Sequence, residues 1–160
     1  MTPAVAVDLD GALGDTRALW ESFLDDAARR FASIAPLDPE ALPDNRGLAA
    51  EELDRWASTG VGDWRAALER FAEDHAPVYL RPSAEASAAL RSLSASGWRI
   101  GAFTDAPEEL ARVALAQLGA ARRVETVEAG GGSRERLLER LGPAAVVAVT
   151  PAQLMALAHG

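Results

Sequence analysis

AVAVDLDGALGDT, residues 4–16, carries two aspartates off the end of a short apolar run and then turns at Gly11. The run from Ala4 to Val7 is bounded by Pro3 and by an Asp-Gly turn, which predicts a short strand buried on both faces. In an extended segment residues two apart face the same side, so Asp8 and Asp10 project together from the strand's carboxyl end. Two carboxylates there can divide labour, one attacking an electrophile while the other shuttles protons. They can equally share a hard cation such as magnesium. The same residues also describe a solvated turn, since Asp-Gly is common in turns.

Outward from this stretch the pattern turns helical. Trp20, Phe23, Leu24, Ala27, Phe31 and Ile34 recur at helical spacing with charges between them. Residues 36–47, PLDPEALPDNRG, carry three prolines and a glycine and read as a loop. Two further helices are predicted near residues 49–57 and 63–75, the second with Trp64, Leu68, Phe71 and His75 on one face. Ser83 caps the next helix and Gly97 ends it. WRIGAFTD, residues 98–105, reads as a second buried strand, with Asp105 capping a helix over 107–118 that stops at Gly119. A third strand is predicted at 124–127, a helix from the GGGS run at 130–133 to Gly142, a fourth strand at 145–149 and a last helix from Thr150-Pro151. Strands alternating with helices imply a parallel α/β sheet, interrupted by an all-helical insert over residues 17–79. Ligands in such sheets bind beyond the carboxyl ends of the strands.

Composition narrows the chemistry. The chain has 160 residues, 49% of them apolar and 25% charged, as in an ordinary soluble globular protein. No apolar run approaches the roughly 18 residues needed to span a bilayer, and no signal peptide is legible, so a cytoplasmic location and no membrane partner are expected. A formal net charge of −8 disfavours nucleic acid as a partner, whose phosphates need clustered cations. The absence of cysteine removes disulfides and thiolate catalysis. All sixteen basic residues are arginine, so no mechanism that requires a lysine is open.

The stretch DLDGALGDT, residues 8–16, resembles the first signature of the haloacid dehalogenase (HAD) superfamily, Asp-x-Asp-Gly-Thr-Leu-x-Asp-Thr. Residues 79–107, ending in GAFTDAP, resemble the family's following helix and second strand, which ends in a threonine or serine. The resemblance implies a three-layer Rossmannoid core, residues 1–16 and 80–160, with residues 17–79 as an α-helical cap. It implies Asp8 as the nucleophile that forms an aspartyl-phosphate and Asp10 as general acid and base. Thr104 would then bond the transferring phosphoryl group, and Leu9, Gly11 and Asp105 would lie around the substrate. Asp8 and, through a backbone carbonyl nearby, Asp10 would also hold magnesium.

Two of the family's signatures are altered. The third is a lysine before a helix ending in Leu-Gly; here AGGGSRERLLERLG, residues 129–142, has none, and Arg134 is the nearest substitute, equally a solvated first-turn arginine. The fourth places acidic residues after the last strand; here Val149 and Gln153 stand at those positions, and no carboxylate side chain occurs after Pro143. Glu125 and Glu128 are the acids nearest to the end of the third strand. The expectation is therefore a magnesium-dependent phosphatase of a small phosphorylated metabolite acting through Asp8, with weakened activity. The alternative is a catalytically degenerate relative that binds a phosphorylated ligand or a protein partner.

Overall fold

The computed structural model describes residues 2–31, 38–58 and 62–160; Ile34 of the predicted first helix lies outside them. Strand β1 (Ala4–Asp8) leads into a wide π-helical turn at Leu9–Leu13 and then helix α1 (Arg17–Phe31). After a 3-10 turn at Pro39–Ala41 come α2 (Arg46–Trp56), α3 (Trp64–Tyr79) and α4 (Ala84–Ala95). The rest alternates: β2 (Arg99–Thr104), α5 (Glu108–Gln117), β3 (Thr126–Ala129), α6 (Ser133–Leu141), β4 (Ala145–Ala148) and α7 (Pro151–His159).

All four strands are parallel, in the order β3-β2-β1-β4. Ala4, Val5, Ala6 and Val7 are fully buried, which explains why β1 is apolar throughout rather than alternating. Ala4 and Ala6 pack with Phe103, Leu137 and Leu141 on the side covered by α6. Val5 and Val7 belong to the larger core on the other side, together with Leu90 of α4, Leu110 of α5 and Leu154 of α7. Close packing under α6 depends on Gly101: a Cβ there would lie 2.6 Å from a Leu137 methyl. In the helical segment, α3 packs on both α1 and α5. Its aromatic seam sets Phe23 against Phe71 at 5.8 Å and Trp20 edge-on to Trp64 at 6.2 Å, so Trp20 and Trp64 are packing residues. His75 stacks on Phe71 and its Nδ1 contacts the Phe71 carbonyl.

Three local readings differ. Helix α2 begins at Arg46, inside the predicted loop, because Asn45 accepts a hydrogen bond from the Leu48 amide and caps it. Strand β3 runs over Thr126–Ala129 rather than 124–127: the Val124 amide turns back to the Ala120 carbonyl, and the pairing with β2 starts with the Glu125 amide on the Ile100 carbonyl. Asp105 does not cap α5, whose first turn is entered through Pro107 with no side-chain cap.

Candidate active site at the carboxyl end of β1

The central strand delivers Asp8 at its last position, in register with Phe103 of β2. The turn that follows carries Asp10 over the sheet end, and Thr104 arrives from the end of β2. Together with Gly11, Arg46 and Asp105 they line a cavity of about 220 Å³, completed by Phe103 and Arg17. Leu9 is fully buried in the core and is absent from the cavity wall. Arg17 is held by a bidentate pairing with Asp15.

Asp10 is the most heavily bonded group here. Its Oδ1 accepts from the Thr16 amide at 2.9 Å and the Thr16 hydroxyl at 2.5 Å. Its Oδ2 accepts from Arg46 Nη2 and from the Thr104 hydroxyl, both at 2.7 Å. Arg46 Nη1 also donates to the Thr16 hydroxyl oxygen at 2.6 Å. Thr104 thus bonds to Asp10, while its oxygen accepts from the Ala106 amide. The sequence assigns no role to Arg46 or to Thr16, the last residue of the first signature, yet both define the site. One signal for Arg46 was available: a cation in the first turn of a helix opposes the helix dipole, so its placement there calls for a partner elsewhere.

The two aspartates titrate in opposite directions. Burial pushes Asp8 above the usual carboxylate value, opposed by hydrogen bonding from the Gly11 amide and reinforced by the negative charge of Asp10. Burial pushes Asp10 up too, but the Arg46 charge and the Thr16 and Thr104 hydroxyls outweigh it and hold Asp10 below that value. The linked stability effects have opposite signs. Asp10, with its folded value depressed, contributes stability above the ordinary carboxylate range that is lost as pH falls through its folded value. Asp8, with its folded value raised, loses stability as pH rises from the ordinary value through the raised one. Asp8→Asn is therefore expected to melt above the wild type at neutral pH, and the advantage should vanish in acid. Melting temperatures across the carboxylate range check this; an advantage that persists unchanged into acid contradicts it.

The other predicted site residues are placed elsewhere. Arg134 is exposed in the first turn of α6 and is absent from the cavity wall, while neighbouring Ser133 is buried with its hydroxyl unpaired. Glu125 pairs with Arg99, and Glu128 with Arg136 and Arg140. At the end of β4, Gln153 Oε1 accepts from the Val149 amide, and the Val149 carbonyl backs onto Gly11. The glycine turn after β3 meets α2, where a Cβ on Gly47 would lie 3.0 Å from the Gly131 nitrogen. A second hollow of about 250 Å³ opens between that turn and α2, sharing Asp105 with the first.

This donor set lacks the acidic residues that the resemblance places after the last strand and leaves Asp8, a backbone carbonyl near Asp10 and water as the ligands that would hold magnesium. Among the described residues no three Asp, Glu or His side chains group to hold a metal. Both oxygens of Asp10 already face hydrogen-bond donors, and the positions after β4 supply a valine and an amide whose oxygen is taken. A cation entering the cavity would also meet the Arg46 guanidinium.

No protein-family model and no curated protein matches the sequence. Solved structures do. CbbY from Rhodobacter sphaeroides, in complex with phosphate, is 17% identical and superposes with a TM-score of 0.63 over 99% of this chain and 84% of that one. A beta-phosphoglucomutase from Clostridium difficile is 16% identical, TM-score 0.57, over 99% and 82%. A hydrolase from Pseudomonas syringae is 17% identical, TM-score 0.55, over 98% and 97%. With a parallel four-stranded sheet and paired aspartates at the end of its central strand, the chain has the fold of the HAD-like phosphatases and phosphomutases.

Proposed function

We propose that this chain is a HAD-type phosphomonoester hydrolase with Asp8 as nucleophile, acting on a small phosphorylated metabolite under a cap formed by residues 17–79. The observation that carries this reading is the convergence of Asp8, Asp10, Thr104 and the cap residue Arg46 on one cavity. Asp8 lines the cavity: a carboxylate oxygen attacks phosphorus and the ester P–O bond breaks, and Asp10, having first taken up a proton from solvent, gives it to the leaving oxygen. Water then attacks the aspartyl-phosphate, Asp10 takes the proton, and the P–O bond to Asp8 breaks to return the carboxylate and inorganic phosphate. Positioning and charge compensation dominate such transfers. Phosphate as the ligand type is carried over from CbbY, and the organic remainder of the substrate would extend past Asp105 into the second hollow.

A specific observation favours the second reading, a phosphate-binding relative without turnover. As held by Arg46, Asp10 has no proton to give, and each lost transition-state donor commonly lowers a rate by about a hundred- to a thousand-fold. One experiment separates the two: hydrolysis of p-nitrophenyl phosphate with added magnesium, wild type against Asp8→Asn. Hydrolysis that Asp8→Asn abolishes supports the enzyme. Phosphate binding with no hydrolysis supports the binding protein, and neither activity overturns the phosphoryl reading altogether.

A further inference from the structure

The Arg46–Asp10 pair joins the helical segment to the turn that follows strand β1. We propose that Arg46 is an exchangeable anion receptor: in the ligand-free protein Asp10 holds its guanidinium, and a phosphate group entering the cavity takes that guanidinium over and releases Asp10. The inference rests on the phosphoryl-site reading above.

Four observations support it. Arg46 and Asp10 are both largely buried, with side chains 9% and 12% exposed, so each requires a counter-charge and an incoming anion competes directly for the cation. Arg46 lines the cavity and donates one hydrogen from each of Nη1 and Nη2, which leaves guanidinium donors free for an anion. Asp10 keeps three other donors, from Thr16 twice and Thr104 once, so it stays in position when Arg46 leaves. Of the other charged groups of the wall, Arg17 is exposed and bonded to Asp15, so only Arg46 offers a phosphate a buried cation, while Asp8 and Asp105 repel it.

Exchange makes a prediction that ordinary charge repulsion does not. Neutralising Asp10 frees Arg46, so Asp10→Asn should bind phosphate more tightly than the wild type, but only while Arg46 is present. The test is a double-mutant cycle read by calorimetric titration of inorganic phosphate in magnesium-containing buffer, using wild type, Asp10→Asn, Arg46→Gln and the double variant. Asp10→Asn is expected to tighten binding about tenfold and Arg46→Gln to weaken it about tenfold; in the Arg46→Gln background Asp10→Asn should change affinity less than about twofold. If Asp10→Asn tightens binding by the same factor in both backgrounds, the effect is generic repulsion and exchange is overturned while the phosphoryl site stands. If neither the wild type nor any variant binds phosphate, the phosphoryl reading falls as well. Should Arg46→Gln fail to fold, Arg46→Lys closes the same cycle: it keeps a positive charge but not the fork that spans Asp10 and Thr16, and the gain from Asp10→Asn must shrink in that background.

Discussion

Arg46→Ala is expected to lower folding stability by about 3–5 kcal/mol, the range for breaking a buried ion pair by removing one partner. The cost comes from what is left behind. Asp10 would keep its Thr16 and Thr104 donors but lose the cation bonded to it, in a setting where its side chain is 12% exposed. That origin has a consequence for a second variant. Adding Asp10→Asn to Arg46→Ala removes the stranded charge and should restore a substantial part of the loss, whereas a loss from packing alone would not be restored. The Arg99–Glu125 pair is the natural control: both side chains are more than 40% exposed, so Arg99→Ala should cost no more than about 1 kcal/mol. Urea midpoints at constant m-value read all of these. Against a typical total of about 5–15 kcal/mol for a domain, the Arg46 loss is large. A loss below about 1 kcal/mol would show that the pair behaves as a solvated one.

Much of the fold follows from local signals that agree with one another. Ser83 bonds the Ala86 amide and opens α4, Thr150 bonds the Gln153 amide and opens α7, and the left-handed glycines 97, 119 and 142 follow α4, α5 and α6. The apolar run of β1 and the polar end of β2 place Asp8, Asp10 and Thr104 at one sheet edge, because parallel strands put their carboxyl ends together. What the sequence does not reveal is pairing across long separations. Arg46 lies 36 positions from Asp10 and sits in a segment whose prolines argue for a loop; only the Asn45 cap and the unfavourable dipole position hint at its role. Gln153 is similar, since the chain shows that an acid is missing there but not that the amide closes on the Val149 N–H. Asp105 reads as a helix cap by spacing and as a residue near the substrate by resemblance; it lines the cavity, and Pro107 enters α5 without a side-chain cap.

The opposed environments of Asp8 and Asp10 connect stability with function. Asp8 is partly buried and, among the described residues, has no cation bonded to it, whereas Asp10 is largely buried and bonded to Arg46. A nucleophile benefits from a carboxylate that is poorly stabilised in the free protein, because bonding to phosphorus then relieves an existing cost. A general acid needs the reverse change, from a stabilised anion to a group that can hold a proton. Under the proposed exchange, Arg46 would supply that change at the moment of phosphate binding and so couple the helical segment to the chemistry.

Gly11→Ala should disable the site through backbone geometry alone. A Cβ at Gly11 would lie 2.2 Å from the Val149 carbonyl oxygen and 3.1 Å from Asp8 Oδ2. Neither neighbour yields easily: Val149 is held through its amide by Gln153, and it follows directly on β4, which pairs with β1 up to Ala148 and Val7. The turn itself must therefore move, and it carries Asp10 away from Thr16 and Thr104 or tilts Asp8 out of the cavity. The expected cost is about 1–3 kcal/mol of stability, with phosphate affinity reduced at least about tenfold, the size associated with a roughly 1.4 kcal/mol loss of binding. Gly14→Ala separates close approach from rigidity, since the atoms nearest its Cβ would be Leu118 side-chain carbons, at 2.8 Å, which can rotate away. Gly131→Ala, with open space around it, should leave melting temperature unchanged. If Gly11→Ala melts and binds phosphate like the wild type, the end of β4 is free to give way, and the close seat of the Asp8–Asp10 turn against Val149 is not what positions the two carboxylates.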